Sequence, residues 1–384
     1  MYWLEFMRSV DVCVVGGGFS GLYLSSMIDG DVHIFEEHSN IGLPMHCAGI
    51  ISPKTFNMLG VSKKFIEAEY DGFVICFNGY KLYWLGKPLA LKVDRVGIEQ
   101  YFYDRCLSKG HSIHLDSFVS FIDVNGLLKV DDDRRFKSNL IILAEGSKRF
   151  FSRSLGLINY SDDFLGFQAY VHCRVHSNYI HVYIDGLSDY FSWFIPIGDD
   201  KCIIGLTVRN SVDVITLMRL LLKHIMDEGL ISSASIKRFF SGIVIRGPIG
   251  SYGLGRILAI GDAIQMNKPL TGGGLYPICL FSRVLSTLIN SYLKGSLNFN
   301  SFNSLYSNLF WSLSNKFKFS FRWVRILSKF NNFAFKSLIK GGCRLKFDNS
   351  LLSHLDYDEH FIDVVNNPLR LLRFGLAFMI GLFP

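Results

Sequence analysis

The stretch Val10-Asp11-Val12-Cys13-Val14-Val15-Gly16-Gly17-Gly18-Phe19-Ser20-Gly21 reads as a buried strand running into a glycine loop and a helix. Its glycines fit G-x-G-x-x-G at Gly16, Gly18 and Gly21. The first permits a tight turn, the second lets backbone approach a pyrophosphate, and the third lets helix and strand pack closely. The helix start, with Phe19 and Ser20 in its first turn, offers free N–H groups and a partial positive charge to phosphates. Val32 to Glu36 reads as the next strand. Glu36 stands twenty residues after Gly16, where a carboxylate accepts hydrogen bonds from ribose hydroxyls, and Glu37 follows it. Strand, loop, helix and acid in this register predict a βαβ unit holding the ADP half of a dinucleotide.

A second glycine cluster narrows the cofactor. Ile257-Leu258-Ala259-Ile260-Gly261-Asp262-Ala263 reads as a strand ending in G-D-A, and Pro269-Leu270-Thr271-Gly272-Gly273-Gly274 precedes a helix that begins at Leu275. This resembles the second motif of the p-hydroxybenzoate hydroxylase-like flavoproteins. The resemblance implies FAD, with Gly261 and Asp262 at the ribityl chain and Gly272, Gly273, Gly274 and Leu275 beside the isoalloxazine. A helix start there favours an anionic reduced flavin. Arg95 resembles the family's arginine that reaches the FAD phosphates. Leu143-Ala144-Glu145-Gly146 with Arg153 and Gly156 resembles its A-D-G-x-x-S-x-x-x-R-x-x-G segment, which implies that Glu145 and Gly146 lie at the cofactor. Glu145 replaces the usual Asp, and Arg149 the usual Ser.

Three further segments are similar to the geranylgeranyl reductase branch, whose archaeal members saturate isoprenoid chains of ether lipids. Gly42-Leu43-Pro44-Met45-His46-Cys47-Ala48-Gly49 is similar to its P-x-x-C-G-E segment. Phe191-Ser192-Trp193-Phe194-Ile195-Pro196 followed by Gly205 resembles Y-x-W-x-F-P…G-x-G. Lys268-Pro269-Leu270-Thr271-Gly272-Gly273-Gly274 resembles D-P-I-T-G-G-G. The likeness spans roughly residues 10–290, and departs from the pattern at Gly49, Phe191, Ile195, Thr207 and Lys268. It implies an FAD-dependent reductase of prenyl C=C bonds, served by an external donor such as NAD(P)H or a ferredoxin. A monooxygenase of the same fold and a non-enzymatic lipid-binding flavoprotein remain open readings.

Such a reduction needs a hydride, a proton and an apolar pocket. Phe191, Trp193 and Ile195 alternate on one strand face and suit one wall, with Pro196 following them as a further substrate contact. Cys47 and His46 are the candidate proton donors: a thiol is protonated at neutral pH, and an imidazole titrates near it. Cys47 and Ala48 also fall in the segment expected to pass the flavin. The eight cysteines form no C-x-x-C pair, so neither a metal site nor a disulfide framework is signalled.

The fold class expected is α/β with an α+β insert: a Rossmann-type FAD-binding domain (1–60, 92–160 and 246–290), an inserted antiparallel-sheet substrate domain (61–91 and 161–245) and a helical C-terminal region (291–384). Asn78-Gly79 and Asn125-Gly126 predict tight hairpins. Apolar residues make up 49% of the chain, ample for a large core, yet no apolar run reaches the ~20 residues that span a bilayer, and no secretory signal is visible. Ala263 to Phe347 carries twelve Lys and Arg and no acid. Within it, Lys318, Arg322, Arg325, Lys329, Lys336 and Lys340 form a basic stripe beside the apolar stripe Phe317, Phe321, Val324 and Leu327. This pattern suits an anionic membrane surface, with the apolar end Phe374 to Pro384 dipping into one leaflet. It suits nucleic acid less, since no binding motif accompanies it; the alternative is a C-terminal helical layer packed on the FAD-binding domain with a solvated basic face. The chain is therefore expected in the cytoplasm, peripheral on the inner face of the cell membrane.

Overall fold

The computed structural model describes residues 7–184, 186–209, 213–327, 332–346, 356–359 and 368–382. Its contacts divide into two units, at 44/45, 94/95, 162/163, 244/245 and 318/319.

The first unit is built on a parallel sheet. Strand β1 (Met7–Val15) leads through the glycine loop into α1 (Phe19–Ser25) and β2 (Val32–Phe35). Later come α3 (Arg95–Ser108), β6 (Ser112–His114), β7 (Val119–Ile122), β8 (Leu127–Val130), β9 (Arg135–Leu143), α4 (Phe150–Ser154), β15 (Gly253–Leu254) and β16 (Ile257–Ala259). The order is β15-β16-β9-β1-β2-β6, parallel from β16 to β6, with β7 and β8 as an antiparallel extension of β9. The central strands are buried throughout their apolar runs, which is why Val12 to Val15 and Leu140 to Leu143 show no polar alternation. Helix α6 (Leu275–Leu293) follows the second glycine cluster, and α7 (Phe299–Leu327) follows α6.

The second unit carries β3 (Ile50–Ile51), α2 (Pro53–Leu59), β4 (Ile66–Phe77), β5 (Tyr80–Val93), β10 (Asp162–Val175), β11 (Ile180–Tyr183), β12 (Ser192–Ile197), β13 (Lys201–Val208), α5 (Val214–Asp227) and β14 (Ile231–Arg246). Its sheet runs β14-β10-β13-β12-β11-β4-β5-β3 and is almost wholly antiparallel. Two apolar clusters cover its two faces. One contains Phe194, Ile204, Leu206 and the inner side of α5; the other contains Phe73, Trp84, Trp193, Ile195 and Ile203. Helices α8 (Asn332–Arg344) and α9 (Pro368–Leu382) pack on each other, and their Ile339 and Ala377 belong to the second cluster. The expected Asn78-Gly79 turn joins β4 to β5 with both residues at positive φ, the geometry of a type I′ hairpin. Asn125-Gly126 lies in a longer turn, in which the Asp123 carboxylate accepts the Asn125 and Leu127 N–H groups.

The apolar stripe of α7 does not face outward as its period suggested. Phe317, Phe321 and Val324 are buried within the protein, so the apolar stripe of α7 is core and cannot enter a bilayer. Lys329 and the side chain of Leu327 lie outside the described residues, as do Phe383, Pro384 and the side chain of Phe374.

An imidazole pair in the first unit, His33 buried and His114 partly buried, has a measurable consequence. His33 Nδ1 and His114 Nε2 are 2.8 Å apart, and His114 Nδ1 faces the Arg134 guanidinium at 3.0 Å. Desolvation, then the His33 and Arg134 charges, hold His114 down to about 4. The unfolded chain takes up that proton near the ordinary value of ~6.5. Between those values the unfolded state binds more protons, so stability must fall as pH drops from about 6.5 to about 4. His181, depressed to about 4 chiefly by burial, acts in the same direction. The urea midpoint is expected to drop between pH 7 and pH 5, and the drop to be smaller in His114→Gln. An identical drop in wild type and variant would rule this out.

Candidate functional site

The parallel sheet brings the expected cofactor residues to one edge. Val15 pairs with both Phe35 and Leu143, and Leu143 pairs with Ala259, so β1, β2, β9 and β16 end level. The loops Gly16–Gly18, Glu36–Glu37, Ala144–Gly146 and Ile260–Asp262 therefore all leave the same sheet edge. Ligands of open α/β sheets bind outside the carboxyl ends of the strands, which is this edge.

Each glycine of the first motif has a distinct surrounding. Gly16 has φ +108°, and a Cβ there would run into the Ala144 carbonyl. A Cβ on Gly21 would run into the Gly16 carbonyl and the Val14 side chain. A Cβ on Gly18 would meet nothing within 4 Å. Two glycines thus close the turn, and the third fronts open space, the arrangement a pyrophosphate needs.

Glu36 accepts the Gly17 N–H at 2.7 Å through Oε2 and the His38 N–H at 3.0 Å through Oε1. This holds the carboxylate against the glycine loop. Glu37 pairs with Lys148 at 2.5 Å. Arg95 opens α3, pairs with Glu99 and lays its guanidinium over the Phe19 ring at 5.1 Å, next to the start of α1. Glu145 is used differently. Its carboxylate accepts the N–H groups of Phe151 and Ser152 at 2.9 and 2.7 Å and the Ser152 hydroxyl at 2.6 Å, capping α4. The adjoining Gly146 has φ +62°. Arg149, in place of the family's Ser, is almost fully buried and donates to the Ser161 hydroxyl and the Ser147 carbonyl.

The second glycine cluster folds as a compact turn. The Lys268 carbonyl accepts the Thr271 and Gly272 N–H groups, and the Lys268 N–H donates to the Gly273 carbonyl. Lys268 is buried, its side chain lying where a Cβ on Gly273 would stand. Helix α6 begins at Leu275, and its N-cap residue is Gly274, which has no side chain of its own to cap the helix. A Cβ on Gly274 would touch the Asp262 carboxylate, so Asp262 borders the start of α6. The carboxylate of Glu36, the open Gly18 and the glycine turn leading into α6 beside Asp262 fit a flavin dinucleotide.

The second unit holds the other expected residues. His46 and Cys47 are exposed. The loop carrying them is pinned from three sides. His46 Nδ1 lies 2.7 Å from the Ser241 carbonyl, Gln168 Nε2 donates to the His46 carbonyl at 3.1 Å, and Gly242 approaches His46 too closely for a Cβ. The Gly49 N–H donates to Cys47 Sγ at 3.3 Å. Ala48 and Met45 pack on the apolar cluster that also holds Trp193, Ile195 and the partly buried Phe191. The Trp193 ring lies against Gly205, leaving no room for a Cβ there. Pro196 falls on the opposite alternation, where its carbonyl accepts the Tyr70 hydroxyl at 2.6 Å.

Gln168, Ser241 and Gly242 escaped the sequence reading because they act on His46 from more than a hundred residues away, with no local signature. Tyr357 escaped it too. Its ring stacks on Phe73 at 5.4 Å and sits against Trp84, while Asp358 accepts from the Ser52 and Thr55 hydroxyls and Lys54 pairs with Asp356.

No family model matches the chain. Digeranylgeranylglycerophospholipid reductase 2 of Methanopyrus kandleri is 24% identical over 350 residues, covering 84% of this chain and 87% of that protein. The chain is related to the geranylgeranyl reductases. Uncharacterized protein MJ1520 of Methanocaldococcus jannaschii is 26% identical over 391 residues, 96% of this chain and 97% of its own length. Among solved structures, a geranylgeranyl bacteriochlorophyll reductase-like protein of Thermoplasma acidophilum has the same fold, with a TM-score of 0.79 at 16% identity over 94% of this chain and 99% of that one. Flavin-dependent halogenases and a probable FAD-dependent monooxygenase share the fold at lower TM-scores.

Proposed function

We propose that this geranylgeranyl reductase relative is an FAD-dependent reductase that saturates C=C bonds of prenyl chains in ether-type membrane lipids, and that it works at an anionic membrane surface. The observation that carries the reading is the level ending of β1, β2, β9 and β16 with an open Gly18. Gly16, Gly18, Gly21 and Arg95 would hold the pyrophosphate, and Glu36 the ribose. Gly261, Asp262 and the Gly272–Gly274 turn would hold the ribityl chain and the isoalloxazine. Reduced FAD supplies the hydride when bound. Phe191, Trp193 and Ile195 supply an apolar surface for a chain without polar handles.

Cys47 is the proton donor in this reading. The Gly49 N–H, already on Sγ, is placed to stabilise the thiolate that donation leaves. His46 has Nδ1 engaged with the Ser241 carbonyl, so Nε2 is the nitrogen through which a proton returns. One hydride and one proton add across each double bond, and two electrons from an external donor, NAD(P)H or a ferredoxin, restore the enzyme.

The test is direct. Holoprotein reduced with dithionite under anaerobic conditions is mixed with geranylgeranyl phospholipid, and the lipid is weighed by mass spectrometry. The expected product carries added hydrogen pairs. No gain across several prenyl substrates would remove the reading, and oxygen uptake coupled to an oxygenated product would assign the chain to the hydroxylases instead.

A further inference from the structure

We infer that the terminal helix hairpin, α8 with α9, is the surface by which the protein docks on an anionic lipid bilayer, with one stripe of α9 entering the acyl boundary. The inference rests on the membrane-lipid reading above and says which face is used.

Helix α9 has two unlike sides. On one, Ala377 is fully buried in the apolar cluster of the second unit, and Gly381 and Ala377 face α8 at backbone distance: a Cβ on Gly341 would overlap the Ala377 carbonyl, and one on Gly381 the Ser337 carbonyl. On the other, Leu369, Leu372, Leu376, Met379 and Leu382 stand exposed at 70, 62, 42, 58 and 45%. Their spacing of three or four residues makes a single stripe along the whole helix. Large apolar side chains lined up in water mark an interaction site, where scattered ones would not.

Charge identifies the occupant. Lys336, Lys340 and Arg344 on α8 and Arg370 and Arg373 on α9 are the only charged residues of the two helices, and neither helix carries an acid. An apolar stripe on a helix pair whose own charges are all cationic is the pattern of helices that lie in an anionic interface, their stems snorkelling as the apolar residues insert. A second copy of this chain fits poorly: five side chains fall far short of the ~20–30 residues a side of a stable interface, and two cationic hairpins repel. No helix among the described residues is long and apolar enough to cross a membrane, so the hairpin would lie on the bilayer. The hairpin is also fastened to its own unit, with Cys343 Sγ on the Lys81 carbonyl at 3.4 Å and Ile339 in the apolar cluster. The docked helix is therefore rigidly continuous with the apolar face beneath it.

The experiment is co-sedimentation of the full-length holoprotein with phosphatidylglycerol vesicles and with phosphatidylcholine vesicles. Wild type is expected to sediment with the first and far less with the second, and binding to weaken as salt rises. The double variant Leu372→Glu, Met379→Glu should lose at least tenfold in partitioning while keeping its FAD content and urea midpoint. Arg370→Glu with Arg373→Glu should lose roughly fivefold per cation at low salt. Wild-type binding that both variants retain would overturn the docking face and leave the membrane reading standing. Absence of wild-type binding to any vesicle would remove both. A concentration-dependent dimer dispersed by Leu372→Glu, Met379→Glu would assign the stripe to self-association. Turnover on detergent-dispersed prenyl lipid tests the catalytic reading separately, because none of the substituted residues is among those proposed to hold the flavin or donate the proton.

Discussion

Gly18→Val is expected to fold like the wild type and to purify without flavin. The backbone at Gly18 has φ −76° and an extended ψ, a conformation valine adopts readily, and its Cβ would meet nothing within 4 Å. No atom of the protein stands within 4 Å of that Cβ, and the side chain would enter the space the pyrophosphate is proposed to occupy. Overpacking of a filled site costs about 1–3 kcal/mol, and the backbone N–H groups would also be held off the phosphates. The combined loss is expected to weaken FAD binding on the order of 100-fold, about 2.8 kcal/mol. Two neighbours serve as contrasts. Gly16→Val and Gly21→Val place a Cβ against backbone carbonyls, so they should lower the urea midpoint as well as the flavin content. Absorbance of bound flavin per protein, read beside the midpoint, separates the three. A Gly18→Val protein that purifies with stoichiometric FAD would show that the cofactor is elsewhere.

Cys47→Ala is the second large effect. General acid catalysis typically contributes about 10²–10⁴-fold, and Cys47 is the one proton donor proposed to act on the substrate. The variant removes Sγ while keeping the loop, because the anchors are made by neighbours: the His46 carbonyl to Gln168, His46 Nδ1 to Ser241, and His46 against Gly242. Flavin content and reduction by dithionite should therefore be unchanged. Anaerobic stopped-flow oxidation of the reduced protein by a geranylgeranyl lipid should slow by about 100-fold or more. His46→Gln, which keeps a donor at the amide, should slow it less. A Cys47→Ala rate within about threefold of wild type would take the thiol out of the chemistry and leave its loop a structural element.

The first βαβ unit and the order of motifs were legible because their physics is local. A tight turn, a close helix and an open approach each demand glycine at a set spacing, and Gly16, Gly18 and Gly21 meet those demands within six residues. The Asn78-Gly79 hairpin is local in the same way, since positive φ at two successive positions selects those residues. Alternation also placed Trp193 and Ile195 on one face. The membrane stripe failed on this kind of evidence. Periodicity shows that α7 has an apolar side, and a side bound for the core has the same period as a side bound for lipid; only the burial of Phe317, Phe321 and Val324 separates them.

What the sequence by itself determined is the cofactor-binding half: an α/β unit with a dinucleotide loop, an acid and a second glycine turn in the right order. The tertiary structure decided three other matters. It levelled four strand ends so that distant loops share one edge. It fixed the His46–Cys47 loop through Gln168, Ser241 and Gly242, and it turned the apolar stripe of α9 outward while burying that of α7. The physical reason is range. Backbone conformation and side-chain period are set within a few residues, whereas pairing register, burial and hydrogen bonds across more than a hundred residues exist only once the chain has packed.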